Sequence, residues 1–350
     1  MDPPVSKIIE RGNMEISRTV VRKTKREVSR LLQNVLTIPE LGVLTAVVVV
    51  LIIFSLLSDK FLQVQSFASI LVRTAELGIV ASGIAFLMIS GEFDLSVSSI
   101  FAFVPVVSAL LMKSGFPFVV ILIIGIGIAI IVGFINSQIT VRVGLPSFIT
   151  TLGMMLFLRG LVLALSRGFL LPFAGDKIAE YILAGTITGF FRFSVIWSLI
   201  ICGIFTFVLT QTRYGNWVFA SGGNPNAAYM AGIPIKRVKT LNFLLCSVVA
   251  AIAGMIAFAR LGMVAPQQGE GMELEAIASA VIGGCLLTGG YGSILGAYLG
   301  ALMVAMIQQG LVLVGAPPYW YRAFVGFLVV AAAVLNHLVR VRFKARLEER

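Results

Sequence analysis

Charge is scarce in this chain: Asp, Glu, Lys and Arg make up 12% of its 350 residues, about half the roughly 25% of a soluble domain. There are three cysteines and one histidine. Cys202, Cys246 and Cys285 lie apart from one another within apolar stretches, which excludes a disulfide framework and a zinc site. They read as small buried hydrophobes. No Gly-Lys dipeptide occurs, so the chain has no phosphate-binding Walker A loop. A His-Glu-x-x-His pair and a Gly-x-Ser-x-Gly elbow are also missing, and with them metalloprotease and hydrolase chemistry. The Gly-Gly pairs at 222–223, 283–284 and 289–290 lack the strand–turn–helix setting of a dinucleotide fingerprint. No catalytic residue, metal ligand or directly bound cofactor is assigned.

What is present is apolar length. Hydrophobic residues make up 58% of the chain and the mean hydropathy is +1.00. Apolar stretches of about 17 to 25 residues recur throughout, long enough for membrane helices and unlike the short alternating segments of a barrel. The pattern predicts an all-α polytopic membrane protein with about ten spans. They run over Leu41–Leu57, Phe67–Ile89, Val97–Met112, Phe116–Val141, Phe148–Leu165, Phe193–Thr210, Leu241–Arg260, Leu274–Leu287, Ile294–Val314 and Ala323–Val339. The eighth covers only about 21 Å at helical rise and is expected to be tilted, broken or re-entrant. Residues 1–40 and 340–350 form basic tails around a membrane domain of residues 41–339, with a polar loop over 211–240.

The formal net charge is +11, but its placement speaks for topology rather than nucleic acid. With the amino terminus inside, 18 of the 27 Lys and Arg fall on cytoplasmic segments: the two tails, Arg142, Arg213, Lys236, Arg237 and Lys239. Seven fall outside, so both termini are expected in the cytoplasm. Ile16–Val35 can form a basic amphipathic helix on the inner leaflet or serve as a solvated orienting tail. A cleavable signal peptide is not expected, because roughly forty polar residues precede the first span. Val143-Gly144-Leu145-Pro146 and Val314-Gly315-Ala316-Pro317 sit five spans apart, which hints at a five-plus-five repeat.

Few polar groups interrupt the spans. Gly91-Glu92-Phe93-Asp94-Leu95-Ser96 joins the second and third. Its carboxylates suit a proton or sodium site, or else a turn in which Gly91 ends one helix while Asp94 or Ser96 caps the next. The capping turn is the simpler reading, with the charges solvated near the membrane surface. Gly289, Gly290, Gly292 and Ser293 form a second such turn. Arg73 and Glu76 are spaced to pair on one helix. Arg159 either snorkels outward or faces the bundle. Asn136, Gln138, Gln308 and Gln309 are neutral amides that suit a polyol pathway or plain interhelical bonding.

The polar segment Arg213–Thr240 stands out most. A structured basic loop on the inner face of a membrane protein is a natural dock for a soluble partner. In order and spacing, these pieces resemble the permease subunits of bacterial ATP-binding-cassette sugar importers, of the ribose, galactose and xylose type. The resemblance rests on Gly91 to Ser96; on Gly223-Asn224-Pro225-Asn226-Ala227-Ala228 running to Gly232-Ile233; on Glu273-Leu274-Glu275-Ala276-Ile277-Ala278 with Val281-Ile282-Gly283-Gly284; on Gly289 to Gly296; and on Pro318-Tyr319-Trp320. It covers spans two to ten, and Glu92 stands where the family usually has a second glycine. The resemblance implies a second permease copy, cytoplasmic ATPase subunits that carry ATP and Mg, a periplasmic sugar-binding protein and a monosaccharide substrate in the inner membrane. It further implies that the loop around Asn224–Ile233, with Asn224, Pro225, Ala227, Ala228, Met230, Gly232 and Ile233, is the coupling helix that seats on the ATPase, where Ala227, Ala228 and Gly232 let the backbone approach closely. An ion-coupled secondary transporter of a small polar solute is the alternative, with Glu76 and Asp94 as its candidate ion ligands. An intramembrane enzyme or flippase finds no catalytic pair in the spans.

Overall fold

The computed structural model describes residues 39–317 and, beyond them, parts of 319–334. The basic segment with Ile16–Val35, the carboxy-terminal tail and much of the tenth expected span lie outside the described residues. The chain is helical almost throughout. In order run α1 (Pro39–Leu57), α2 (Val64–Ile89), α3 (Val97–Lys113), α4 (Phe118–Ser137), a π-helix (Gln138–Val143) and α5 (Ser147–Ser166). There follow β1 (Leu171–Pro172), α6 (Lys177–Ala184), β2 (Thr186–Thr188), β3 (Phe191–Arg192), α7 (Phe193–Gln211), α8 (Arg213–Gly223), α9 (Pro225–Met230), α10 (Ile235–Leu261), β4 (Met263–Val264), α11 (Met272–Ile282) and α12 (Ile294–Leu313). Among the described residues, six helices are long and apolar enough to cross a membrane, with two shorter apolar helices beside them.

α2 is the axis of the bundle. From Thr74 to Ile89 every residue is buried, as a helix surrounded on all sides requires. It packs against α12, α10, α7 and α11. Small residues permit the close approach: a Cβ added at Gly78 would lie 2.7 Å from the Tyr298 ring, and one at Gly83 would lie 2.6 Å from Val249. α4, α5 and α7 form the periphery. They show Ile123, Ile131, Leu156, Phe157 and Phe207 outward, each at least 60% exposed, a surface that only lipid or another apolar face can cover. Between α5 and α7 in the chain come α6, which packs on α10 and α7, and the β2–β3 hairpin, and β1 pairs antiparallel with β4.

Helices fill much of the polar segment: α8, α9 and the first turns of α10 occupy residues 211–240, with α9 where the resemblance implies a coupling helix. Thr212 caps α8 by accepting from the Gly215 amide at 3.3 Å, and Asn224 caps α9, so local capping turns a polar island into helices. The eighth expected span shrinks to α11, 11 residues ending at Ile282. At about 16 Å it covers only half of a hydrocarbon core about 30 Å thick. Its glycine-rich sequel, Gly283 to Gly292, is non-helical backbone in which Gly283, Cys285 and Gly289 are buried while Leu287, Thr288 and Tyr291 are exposed. The two Val-Gly-x-Pro tetrapeptides each follow a helix end, with Gly144 at φ 87° and Gly315 at φ 80°. That is the left-handed cap and following proline that many helix ends share, so the match needs no duplication to explain it.

Candidate functional site: a helical dock fastened to three glycine turns

The exposed part of the site is α9. Asn224 Oδ1 accepts from the Ala227 amide at 3.1 Å, and Pro225 occupies the first helical position, where a missing N–H costs nothing. At the other end the Ile233 amide reaches Ala228 O at 3.0 Å and Gly232 sits at φ 80°. This is a Schellman cap, and Gly232 is needed for its left-handed backbone. Ala228 turns inward and is 4% exposed, whereas Tyr229 and Met230 are 73% and 87% exposed. Asn224, Pro225 and Ala227 are exposed as well, and Ile233 is half-buried. A capped, single-turn-scale helix thus presents two large side chains that nothing among the described residues covers.

Beneath α9 three glycine turns meet. Gly290 donates its amide to Ile89 O at 2.8 Å. A Cβ at Gly289 would lie 2.9 Å from Gly91 Cα, and one at Gly222 would collide with Ile89 O. A Cβ at Gly290 would collide with Gly223 Cα. Gly91, Gly289 and Gly290 all have positive φ. The turns after α2 and α11, separated by nearly 200 residues, therefore touch each other and touch the end of α8 with no side chain between them. Gly292 fits against Ile89 and Cys285, and Ser293 caps α12 by accepting from Gly296 at 3.1 Å.

The acidic residues of the first turn are both satisfied. Glu92 Oε1 accepts from Lys239 Nζ at 2.6 Å, which ties the turn to α10 just beyond α9. The charge that departs from the resembled family thus has its own counter-charge. Asp94 is fully buried, so the expectation of a solvated carboxylate is corrected. Its Oδ1 accepts from the Ser96 amide at 2.8 Å and the Ser96 hydroxyl at 2.6 Å, while Asn136 Nδ2 reaches Ser96 Oγ at 2.9 Å. Asp94 does the local capping and Ser96 makes no side-chain cap of α3. Burial pushes the Asp94 carboxyl up to about 6, against the opposite pull of its hydrogen bonds from Ser96 and Asn136.

Within the spans the polar residues form pairs that sequence spacing did not show. Arg73 does not pair with Glu76. It donates to Glu275 of α11 at 2.5 Å and to Gln308 of α12 at 3.0 Å, while Glu76 takes Arg260 of α10 at 2.6 Å. Arg159 faces the bundle, donating to Pro266 O, Gln268 O and Ser98 O. Asn136 and Gln308 consequently belong to different clusters. Gln138 donates to Ser137, and Gln309 is half-buried. The mutual contact of the glycines at 222–223 with the other two doublets, the pairing of Lys239 and Arg260 with Glu92 and Glu76, and the exposure of Tyr229 were not legible in the sequence. The repeated Gly-Gly doublets were the available signal, since three doublets in one membrane protein mark places where backbones meet.

The family model described as branched-chain amino acid transport system / permease component matches residues 66–333. A probable ABC transporter permease protein of Escherichia coli (strain K12) is 32% identical over 305 residues, 87% of this chain and 91% of its own length. The D-allose transport system permease protein of the same strain is 34% identical, covering 83% of this chain and 89% of its own. The xylose/arabinose import permease protein of Sulfolobus acidocaldarius is 31% identical, covering 84% and 83%. No solved structure matches. The apolar helices and the matches agree over nearly all of the described residues, and the chain belongs to the family of ABC import permeases, multi-pass proteins of the plasma membrane.

Proposed function

We propose that this chain is the membrane-spanning subunit of an importer for a monosaccharide, driven by ATP hydrolysis on separate ATPase subunits. The observation that carries the reading is α9: a short, doubly capped helix with Tyr229 and Met230 exposed, continuing directly from the end of α8, whose Gly222 and Gly223 are in backbone contact with the turns of α2 and α11. A partner that grips α9 can move those two turns together, which is the coupling an engine outside the membrane requires. Asn224, Pro225, Ala227, Met230, Gly232 and Ile233 shape that contact, with Ala228 anchoring α9 from within. ATP and Mg reside on the ATPase, and α9, both termini and the α10 start face the cytoplasm. A second permease copy and an external sugar-binding protein complete the assembly.

The substrate class follows from the relatives named for allose, xylose and arabinose import, and neutral amides and hydroxyls suit such a cargo. The family description names branched-chain amino acids, so these are the competing cargo. Arg260 neutralises Glu76, which counts against it as an ion ligand; Asp94, buried and held by Ser96 and Asn136, is the candidate that an ion-coupled reading would rest on. Met230→Asp is the clean test of docking. Met230 is exposed and free of backbone constraint, whereas a change at Gly232 would also disrupt the cap. The variant is expected to fold with an unchanged denaturation midpoint yet fail to co-purify with the ATPase. Normal co-purification and uptake would remove α9 from the coupling role.

A further inference from the structure

A groove separate from the glycine turns opens between the end of α4, the π-helix and the start of α10. It is a wide-open groove of about 450 Å³ with a mostly apolar floor that includes Phe134, Val141 and Leu241, and Arg142, Lys236 and Arg237 belong to its lining. All three cations are exposed. The ion pairs among the described residues are Arg73–Glu275, Lys239–Glu92 and Arg260–Glu76, so none neutralises these cations. The remaining wall is apolar: Phe134 and Leu241 are 47% and 46% exposed, on helices that enter the membrane. A π-helix is an uncommon insertion that recurs at functional positions, and here it carries Arg142 onto the same groove as Lys236 and Arg237.

We propose that this groove binds an anionic phospholipid, its phosphate on the three cations and its acyl chains along Phe134, Val141 and Leu241. The occupant must be acidic at one end and apolar at the other, because the walls are. A zwitterionic headgroup would bring a fourth cation against three. A protein carboxylate cluster would leave the apolar wall uncovered. Basic pockets between membrane helices take acidic headgroups on these grounds. Placement in the inner leaflet rests on the orientation proposed above, but the binding itself does not.

The test is native mass spectrometry of the full chain in micelles that contain equal phosphatidylglycerol and phosphatidylcholine. Wild-type protein is expected to retain phosphatidylglycerol at least about tenfold over phosphatidylcholine, with millimolar inorganic phosphate failing to displace it. Arg142→Gln/Lys236→Gln/Arg237→Gln should lose that preference. Arg142→Lys/Lys236→Arg/Arg237→Lys should keep it. Equal retention of the two lipids by wild type overturns the proposal, whatever the variants do. So does displacement by phosphate alone, which would mark a free-anion site. If the Gln variant keeps phosphatidylglycerol but no longer captures the ATPase, the groove belongs to the protein partner and the lipid assignment fails. Cysteine labelling from either side at Lys236→Cys tests orientation separately, since the native cysteines are buried.

Discussion

Gly290 and Asp94 show what single residues contribute. Gly290 combines positive φ with a Cβ position already occupied by Gly223. Gly290→Ala should therefore destabilise the protein by at least about 1–3 kcal/mol, from overpacking that rigid backbone cannot relieve. Gly203→Ala, where nothing lies within 4 Å of the added carbon, should be neutral or slightly stabilising. Thermal denaturation in detergent checks both, and equal effects would contradict the three-turn contact. Asp94 sets a pH dependence. Its folded-state pKa, about 6 against an ordinary 3.8, means that the folded protein prefers the protonated form. The associated stability is fully present below pH 3.8 and is lost as pH rises through 6. The denaturation midpoint should fall between pH 4 and 7, and Asp94→Asn should flatten that fall; an unchanged slope would count against a buried carboxylate. Gly91 and Asp94 were legible as a turn because glycine and aspartate carry the chemistry of helix ends. The burial of Asp94 was not legible, because the elements that cover it are distant in sequence.

At the scale of elements, the account turns on ties between segments far apart in the chain. Glu92 and Lys239 are 147 residues apart and join the first turn to α10. Both are mostly buried, at 15% and 18% side-chain exposure, so the pair should exceed the about 0.2–1 kcal/mol of exposed pairs. Glu92→Lys or Lys239→Glu alone should lower both stability and ATP-driven uptake, and the double reversal should recover much of each. Failure of the reversal to recover either would make the pair incidental. The Arg73–Glu275 tie joins α2 to α11. Glu275→Gln leaves the Arg73 guanidinium, 28% exposed and still donating to Gln308, without its charge partner, read as a lower midpoint. The helices themselves were readable from apolar length, since lipid demands it. The pairing of Arg73 was misjudged for a physical reason: residues three apart on α2 point along the helix, but the bundle offers each a closer partner on α10 or α11. The helices of the polar island are not legible from periodicity, because such short capped segments carry too few apolar residues to show a period; only the resemblance implies a helix there.

For the molecule as a whole, the described residues arrange a central buried helix, peripheral helices with exposed apolar faces, and an exposed α9 that follows the α8 end in backbone contact with the turns after α2 and α11. On the function proposed above, that contact is the physical content of coupling. It needs no ion site and no nucleotide loop, and the chain has no Walker A loop. The most direct measurement is uptake of a labelled monosaccharide and branched-chain amino acid panel in vesicles. The chain would be assayed with its ATPase and binding protein, then with each withheld in turn. The account predicts uptake of a sugar only when both partners and ATP are present, abolished by Met230→Asp. Uptake by this chain alone on an ion gradient would contradict it.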